Sequence, residues 1–346
     1  MKTEEFLKTA AATPGVTGNE GAVAAFIAEA FRPFVDEVTI TPLNSVIAHK
    51  KGPGPKVIIC AHLDEIGMMV SKIEDDGSLR LQRVGGVDPR VLPGMRVRVY
   101  GRDETLLGVV GATPPHLLRE ADRKSNYTFD TLFVDLGMSA DKVKEKVRVG
   151  DTVCFEARYV ELKNGRAASK TVDDRGCVAI LLEAAKRLQS MKHEADLYFT
   201  ATCQEEIGSN GAWTSGYAVD PDFAVAFDVC HADTPGAPPN STSKIESLVS
   251  SKGPYLNRYL EEKLEETAKE NGIELQIAVD QRATYTDADE LGVVRGGVPT
   301  VLLSLPIKYM HTNVETFDMH ALKEGARLLA HYLAKISASW EDELWI

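Results

Sequence analysis

The 346-residue chain has only five cysteines, Cys60, Cys154, Cys177, Cys203 and Cys230, and no Cys-x-x-Cys pair. That argues against a thiolate zinc knot and against a disulfide framework. Scattered, odd in number and mostly inside apolar runs such as Val57-Ile58-Ile59-Cys60, these thiols read as reduced core residues and predict a cytoplasmic protein. No apolar run approaches the roughly 18 residues of a membrane span. Met1-Lys2-Thr3-Glu4-Glu5 lacks the cationic and then apolar segments of a signal peptide, so no membrane partner is expected. Basic residues are in deficit, 39 Lys and Arg against 51 Asp and Glu, which leaves a net charge of −12 and argues against nucleic acid as a partner. No serine sits in a Gly-x-Ser-x-Gly elbow. Gly85-Gly86 and Gly296-Gly297 lack the Lys and following helix of a phosphate loop, so both read as turns.

With 44% hydrophobic and 26% charged residues, the composition is that of a globular protein. The length allows about two domains at roughly 150 residues each. Residues 3–12 and 19–32 read as helices, the second with Val23, Phe26, Ile27 and Ala30 on one face. The continuous apolar run 56–61 reads as a strand buried on both sides. From 66 to 165 the texture changes to short strand-like runs at 79–83, 95–100, 105–110, 131–136 and 151–160, with Gly, Pro and Asp turns and one weak helix near 139–147. Beyond 173, helices at 174–190, 206–217, 254–271 and 318–336 alternate with strands at 196–203, 222–229, 273–279 and 298–304. The expected architecture is α/β: a mostly parallel sheet flanked by helices, formed by residues 1–65 and 166–346, with a small β-domain at 66–165 inserted. Such sheets bind ligands at the carboxyl ends of their strands.

Polar residues gather at those ends. His62 and Asp64 follow the strand 56–61; being two apart they share a face, so His62 can give one ring nitrogen to a metal while Asp64 takes the other N–H. Asp173 and Asp174 precede a helix, Glu205 and Glu206 follow a buried strand, Asp228 ends the apolar run 223–227, and His311 lies beyond the strand 298–304. Taken singly, each has a plain structural explanation as a helix cap, a solvated turn or a surface histidine. Together, two His and three carboxylates behind buried strands form a hard oxygen and imidazole donor set suited to zinc, cobalt or manganese. One shared carboxylate would let them hold two ions about 3.5–4 Å apart, with a spare acid as proton carrier. The residues alone do not choose between Asp173 and Asp174.

Ala61-His62-Leu63-Asp64-Glu65-Ile66-Gly67, Val172-Asp173-Asp174-Arg175-Gly176, Gln204-Glu205-Glu206-Ile207-Gly208, Asp228-Val229 with Asp233-Thr234-Pro235-Gly236, Thr286-Asp287-Ala288, and Val298-Pro299-Thr300 through Tyr309-Met310-His311 resemble, in order, the motifs of the M42 family of dinuclear metallo-aminopeptidases. That family includes the glutamyl and the tetrahedral TET aminopeptidases. The resemblance implies a hydrolase that removes N-terminal residues from short peptides with two divalent metal ions per subunit. It implies that Asp173 bridges the ions, His62 and Asp228 complete one site, and Glu206 and His311 the other. Glu205 is then the general base and acid, and Asp64 orients His62. It further implies a PDZ-like, barrel-like inserted domain that builds homo-oligomers, dimers assembling into tetrahedral dodecamers. The M20 carboxypeptidase and deacetylase group shares the ligand set but carries its added domain between the glutamate pair and the last His. Here the β-rich stretch lies between His62 and Asp173.

Within this pattern His231 reads as a bystander, because five ligands are already in place, and His116 as structural. The segment Gln281-Arg282-Ala283-Thr284-Tyr285 is bulkier than the family's glycine-rich run, and Lys308 stands where Arg is frequent. Arg282 and Lys308 are the basic side chains that a pocket for acidic N-terminal residues would use. An amidase acting on non-peptide substrates and a catalytically silent assembly protein are the rival readings. The complete ligand set argues against the second. A glycosidase would need two carboxylates flanking a sugar rather than a metal cluster.

Overall fold

The computed structural model describes residues 1–120, 124–238, 240–337 and 339. Helices α1 (Thr3–Ala12) and α2 (Gly21–Phe31) lead into β1 (Glu37–Ile40), β2 (Val46–Lys50) and β3 (Lys56–His62). Next come β4 (Gly67–Ile73), β5 (Leu79–Val84), β6 (Arg96–Tyr100), β7 (Thr105–Ala112), β8 (Leu132–Asp135), α3 (Ala140–Lys146) and β9 (Thr152–Phe155). The short β10 (Val160–Glu161) and β11 (Arg166–Ser169) precede α4 (Val172–Arg187), β12 (Asp196–Thr202), α5 (Asn210–Val219), β13 (Phe223–His231) and β14 (Leu248–Lys252). The chain closes with α6 (Arg258–Glu270), β15 (Leu275–Val279), α7 (Asp287–Gly292), β16 (Thr300–Ile307), β17 (Glu315–Asp318) and α8 (Met319–Lys335).

The main sheet runs β1-β2-β12-β3-β13-β16-β14-β15. Its centre, β12-β3-β13-β16, is parallel, while β1–β2, β2–β12 and β16–β14 pair antiparallel, so the sheet is mixed. A tight hairpin such as β1–β2 can only pair antiparallel. The alternation of β3 divides the core. Val57, Ile59 and Ala61 pack with Phe6, Val23, Val178 and Leu329 from α1, α2, α4 and α8, whereas Ile58 and Cys60 face Ala212 and Leu291 from α5 and α7. Each such aliphatic side chain contributes roughly 1.5–3 kcal/mol by leaving water. Between β3 and β11, strands β4-β5-β8-β7-β6-β9 close into a barrel around Met68, Val70, Leu81, Val97, Val99, Val134 and Val153. All five cysteines are free, and four are buried. Among the described residues no helix is long and apolar enough to cross a membrane.

Several elements differ from the expectations. The run 151–160 divides into β9, which closes the barrel, and β10, which pairs with β11 outside it. The helical piece 206–217 breaks at Gly208, φ +127°, into a single turn at Glu205–Ile207 and α5. Asp228 does not end its strand; β13 continues to His231. Strand β14, Leu-Val-Ser-Ser-Lys, carries no apolar periodicity, yet Ser250 and Ser251 are buried between β16 and β15.

Candidate metal centre

The parallel register places Thr202 opposite His62, so the segments leaving β12 and β3 start side by side. The His62 imidazole is buried with Nε2 3.0 Å from Asp173 Oδ1 and Nδ1 3.5 Å from Asp64 Oδ1. The other Asp173 oxygen, Oδ2, lies 3.1 Å from His311 Nε2, which is also 3.4 Å from Glu206 Oε1. Asp173 thus stands between two imidazoles, with one oxygen for each. Glu205 Oε2 lies 3.8 Å from His62 Nε2. Asp228 groups with His62 and Asp174, and Glu206 with His62 and Asp173; in each group the potential ligand atoms lie within 4.8 Å of one another. Asp174 accepts the His62 main-chain N–H through Oδ2 at 3.1 Å, and its Oδ1 has no hydrogen-bond partner among the described residues. The Asp173–Asp174 peptide is cis.

Local structure explains how these side chains are held. Asp64 accepts the main-chain N–H groups of Glu205, 3.1 Å, and Glu206, 3.4 Å, and the Thr17 hydroxyl, 2.8 Å. One carboxylate therefore holds the main chain of the glutamate pair and stands 3.5 Å from the His62 ring. Arg175, fully buried, donates to the carbonyls of Leu63, Ala10 and Thr13 and pairs with Glu65, which also pairs with the buried Lys170. That network pins the His62–Glu65 segment. Thr171, Gln204 and His311 adopt φ of +62°, +56° and +62°. Each such backbone costs about 1–3 kcal/mol and persists only where the surroundings hold it. The inserted barrel contributes at the far side: a Cβ on Gly86 would lie 2.5 Å from His311 Nδ1. Gly86→Ala is therefore expected to displace the imidazole and weaken cation binding about tenfold or more, with the melting temperature of the metal-free protein unchanged. A metal titration checks it.

The electrostatics follow from crowding acids into a dry site. Burial pushes the Glu205 carboxyl up, to about 10, with Asp228, Asp287 and Glu206 adding to the rise. Burial raises Glu206, and it carries Asp228 and Asp174 well above the carboxylate range. For Asp173 burial acts in the same direction, but hydrogen bonds from His311 and His62 outweigh it and hold the carboxyl below its usual value. Burial opposes a charged His311, yet Asp173 and Glu206 lift it to about 11. Carboxyls packed this closely must be neutralised by protons or cations. Imidazole nitrogens and carboxylate oxygens without thiolate suit divalent zinc, cobalt or manganese.

The cluster opens onto a cavity of about 1100 Å³ lined by Asp173, Glu205, Glu206, Asp228 and His311. Its outer wall holds Val249, Ile277, Val279, Asp280, Tyr285, Asp289 and Glu290. Neither basic side chain singled out from the sequence lines it. Arg282 is exposed and lies 5.8 Å from the Tyr285 ring centre, and Lys308 lies in a neighbouring groove with Asp233 and Thr234. Arg282 lies in the loop after β15, and the half-buried Lys308 directly follows β16, where it bridges to Thr316. His231 and His311 both reach the cavity wall and neither is in the two ligand groups, but only His311 stands against Asp173 and Glu206. Sequence reasoning missed Glu315, whose carboxylate accepts main-chain N–H groups of both Asp173 and His311, and Thr17. The only local sign of Glu315 was an acid four residues beyond His311.

A mixed α/β sheet with a parallel centre, an inserted closed barrel and an acid and imidazole cluster at the strand ends defines a metallopeptidase of the aminopeptidase class. The chain matches the M42 peptidase family, described as M42 glutamyl aminopeptidase, over residues 44–328, and it belongs to that family. It is 37% identical to the lysyl aminopeptidase of Pyrococcus furiosus over 341 residues, 96% of this chain and 97% of the other. The structure is similar to that of a TET aminopeptidase from the marine sediment archaeon Thaumarchaeota archaeon SCGC AB-539-E09, with a TM-score of 0.94, 30% identity and coverage of 99% and 98% of the two chains. It is also similar to the Pyrococcus horikoshii TET1 peptidase, described as assembling into a tetrahedron or a large octahedral shell, with a TM-score of 0.85, 30% identity and coverage of 97% and 100%.

Proposed function

We propose that the protein is a dinuclear metal-dependent aminopeptidase that removes N-terminal residues from short peptides and favours cationic ones. The observation that carries this is Asp173, whose two oxygens face His62 and His311 at 3.0 and 3.1 Å. Asp173, His62 and Asp228 would hold one ion, and Asp173, Glu206 and His311 the other. When bound, such a pair polarises a peptide carbonyl and acidifies a water. The Glu205 carboxyl, on the cavity wall beside His62, would ionise once cations offset the neighbouring acids that raise it, and the carboxylate takes the proton of the attacking water and returns it to the leaving amine. Asp64 holds the Glu205 main chain and stands beside the His62 ring, placed to take its Nδ1 proton when Nε2 binds an ion.

The side-chain preference follows from the outer wall. It has no Lys or Arg among the described lining residues, and it carries Asp280, Asp289 and Glu290 beside Ile277 and Val279. Asp289 is occupied by Thr284 and the Tyr285 N–H, whereas Asp280 and Glu290 make no ion pair among the described residues. An aliphatic stem ending in a cation suits that surface, in line with the name of the Pyrococcus furiosus relative. The residue blocks 1–65 and 166–346 act as the catalytic domain and 66–165 as an assembly module. The barrel side chains Leu107, Val109 and Val149 are exposed and apolar, consistent with burial in dimers and tetrahedral dodecamers. The free thiols fit the cytoplasm.

Lys-, Arg-, Leu- and Glu-anilides, assayed before and after chelation and with zinc, cobalt or manganese restored, test both parts. Chelation is expected to abolish turnover and a metal to restore it. The kcat/KM for Lys and Arg is expected to exceed that for Glu by about tenfold or more, one buried charge contact being worth on the order of 1.4 kcal/mol or above. Turnover that survives chelation removes the metal reading; a Glu preference removes the pocket reading.

A further inference from the structure

Glu315 opens β17 and is buried at 3% exposure. Its Oε2 accepts the main-chain N–H of Asp173 at 3.1 Å and its Oε1 that of His311 at 3.0 Å. Both donors lie outside regular pairing. Asp173 has φ −78° and ψ 103°, which is non-helical, and His311 has φ +62° in the turn after β16. Buried N–H groups without an acceptor are expensive, so these two depend on the same carboxylate. Glu315 itself is anchored. Its main chain stands opposite Ser169 on β11, and the next residue, Thr316, exchanges both main-chain hydrogen bonds with Lys308 at 2.8 and 2.9 Å, closing the loop that carries His311.

We propose that Glu315 is a positioning residue: by holding the main chains of Asp173 and His311 on one carboxylate, it sets the His311 half of the cluster and the affinity of the cation bound there. The inference rests on reading Asp173, Glu206 and His311 as a cation site. Two N–H donors call for two acceptor oxygens. A glutamine has the same shape but turns an NH2 group toward one of them, and an aspartate is one methylene short. The His62 main chain is held instead by Asp174, so the other half of the cluster meets Glu315 only through the shared Asp173, whereas the His311 half depends on it through both Asp173 and His311.

The test is Glu315→Gln, compared with wild type by chelator-competition titration with zinc, metal content per chain, the melting temperature of the metal-free protein, and kcat and KM for a Lys anilide. One ion, affected only through the shared Asp173, is expected to stay within about threefold of wild type and the second to bind about 10- to 100-fold more weakly. The kcat recovers at high zinc and KM for the anilide is unchanged. Two wild-type affinities overturn the proposal. So does parallel loss of both ions with a lowered melting temperature, which marks a merely structural role. If wild type itself binds fewer than two ions, the two-metal reading fails instead, so the two failures are distinguishable.

Discussion

Glu205→Gln is expected to lower kcat by about two to four orders of magnitude while two metal ions per chain remain bound. The amide keeps the size of the side chain and its place beside His62, where Glu205 Oε2 lies 3.8 Å from Nε2, but it cannot accept a proton from water. Asp64 holds the Glu205 main chain by its N–H, and Glu206, the proposed ligand beside it, is untouched, so the cluster is expected to survive the change. KM is expected to move little, because the wall proposed to hold the substrate side chain lies at Asp280 and Glu290. Metal analysis with steady-state kinetics checks this. Substantial turnover with both ions in place would remove Glu205 from its role.

Asp173→Asn is expected to disrupt both ion sites and reduce activity below detection. The carboxylate presents one oxygen toward His62 and the other toward His311, at 3.0 and 3.1 Å, and both imidazoles depend on it. An asparagine offers a single acceptor and turns its NH2 toward one ring. The remaining Asp228, Glu205 and Glu206, already pushed up by burial, would face one another with less compensation. Asp174→Asn serves as the control. Its oxygen accepts the His62 N–H, which an amide oxygen also accepts, so metal content is expected to fall by much less. Equal losses in the two variants would show that the adjacent acids share the ligand role.

Much of this arrangement was legible before any coordinates. Val57-Ile58-Ile59-Cys60-Ala61 and Phe223-Ala224-Val225-Ala226-Phe227 read as buried strands, and β3 and β13 are central. The alternation in 79–83 and 95–100 marked barrel strands whose Leu81, Val97 and Val99 point inward. The ligand candidates stood out because acids and imidazoles behind apolar runs have few structural reasons to gather there. Other elements left little trace. Three of the five residues of strand β14 are serine or lysine, and its burial comes from β16 and β15 on either side. Arg282 and Lys308, the candidates for an acid-binding pocket, are close in sequence to cavity residues but do not line the cavity, a placement decided by loop geometry.

Residue order determined which donors exist and which stretches become strands, since hydrophobic period and turn chemistry act over a few neighbours. Only the folded arrangement decided which oxygen meets which nitrogen. The Asp173 bridge joins His62 to His311, and the Glu315 carboxylate joins the main chains of Asp173 and His311. Such contacts depend on sheet register and loop closure between distant segments, and a shift of one residue in β3 against β12 would turn His62 to the opposite face.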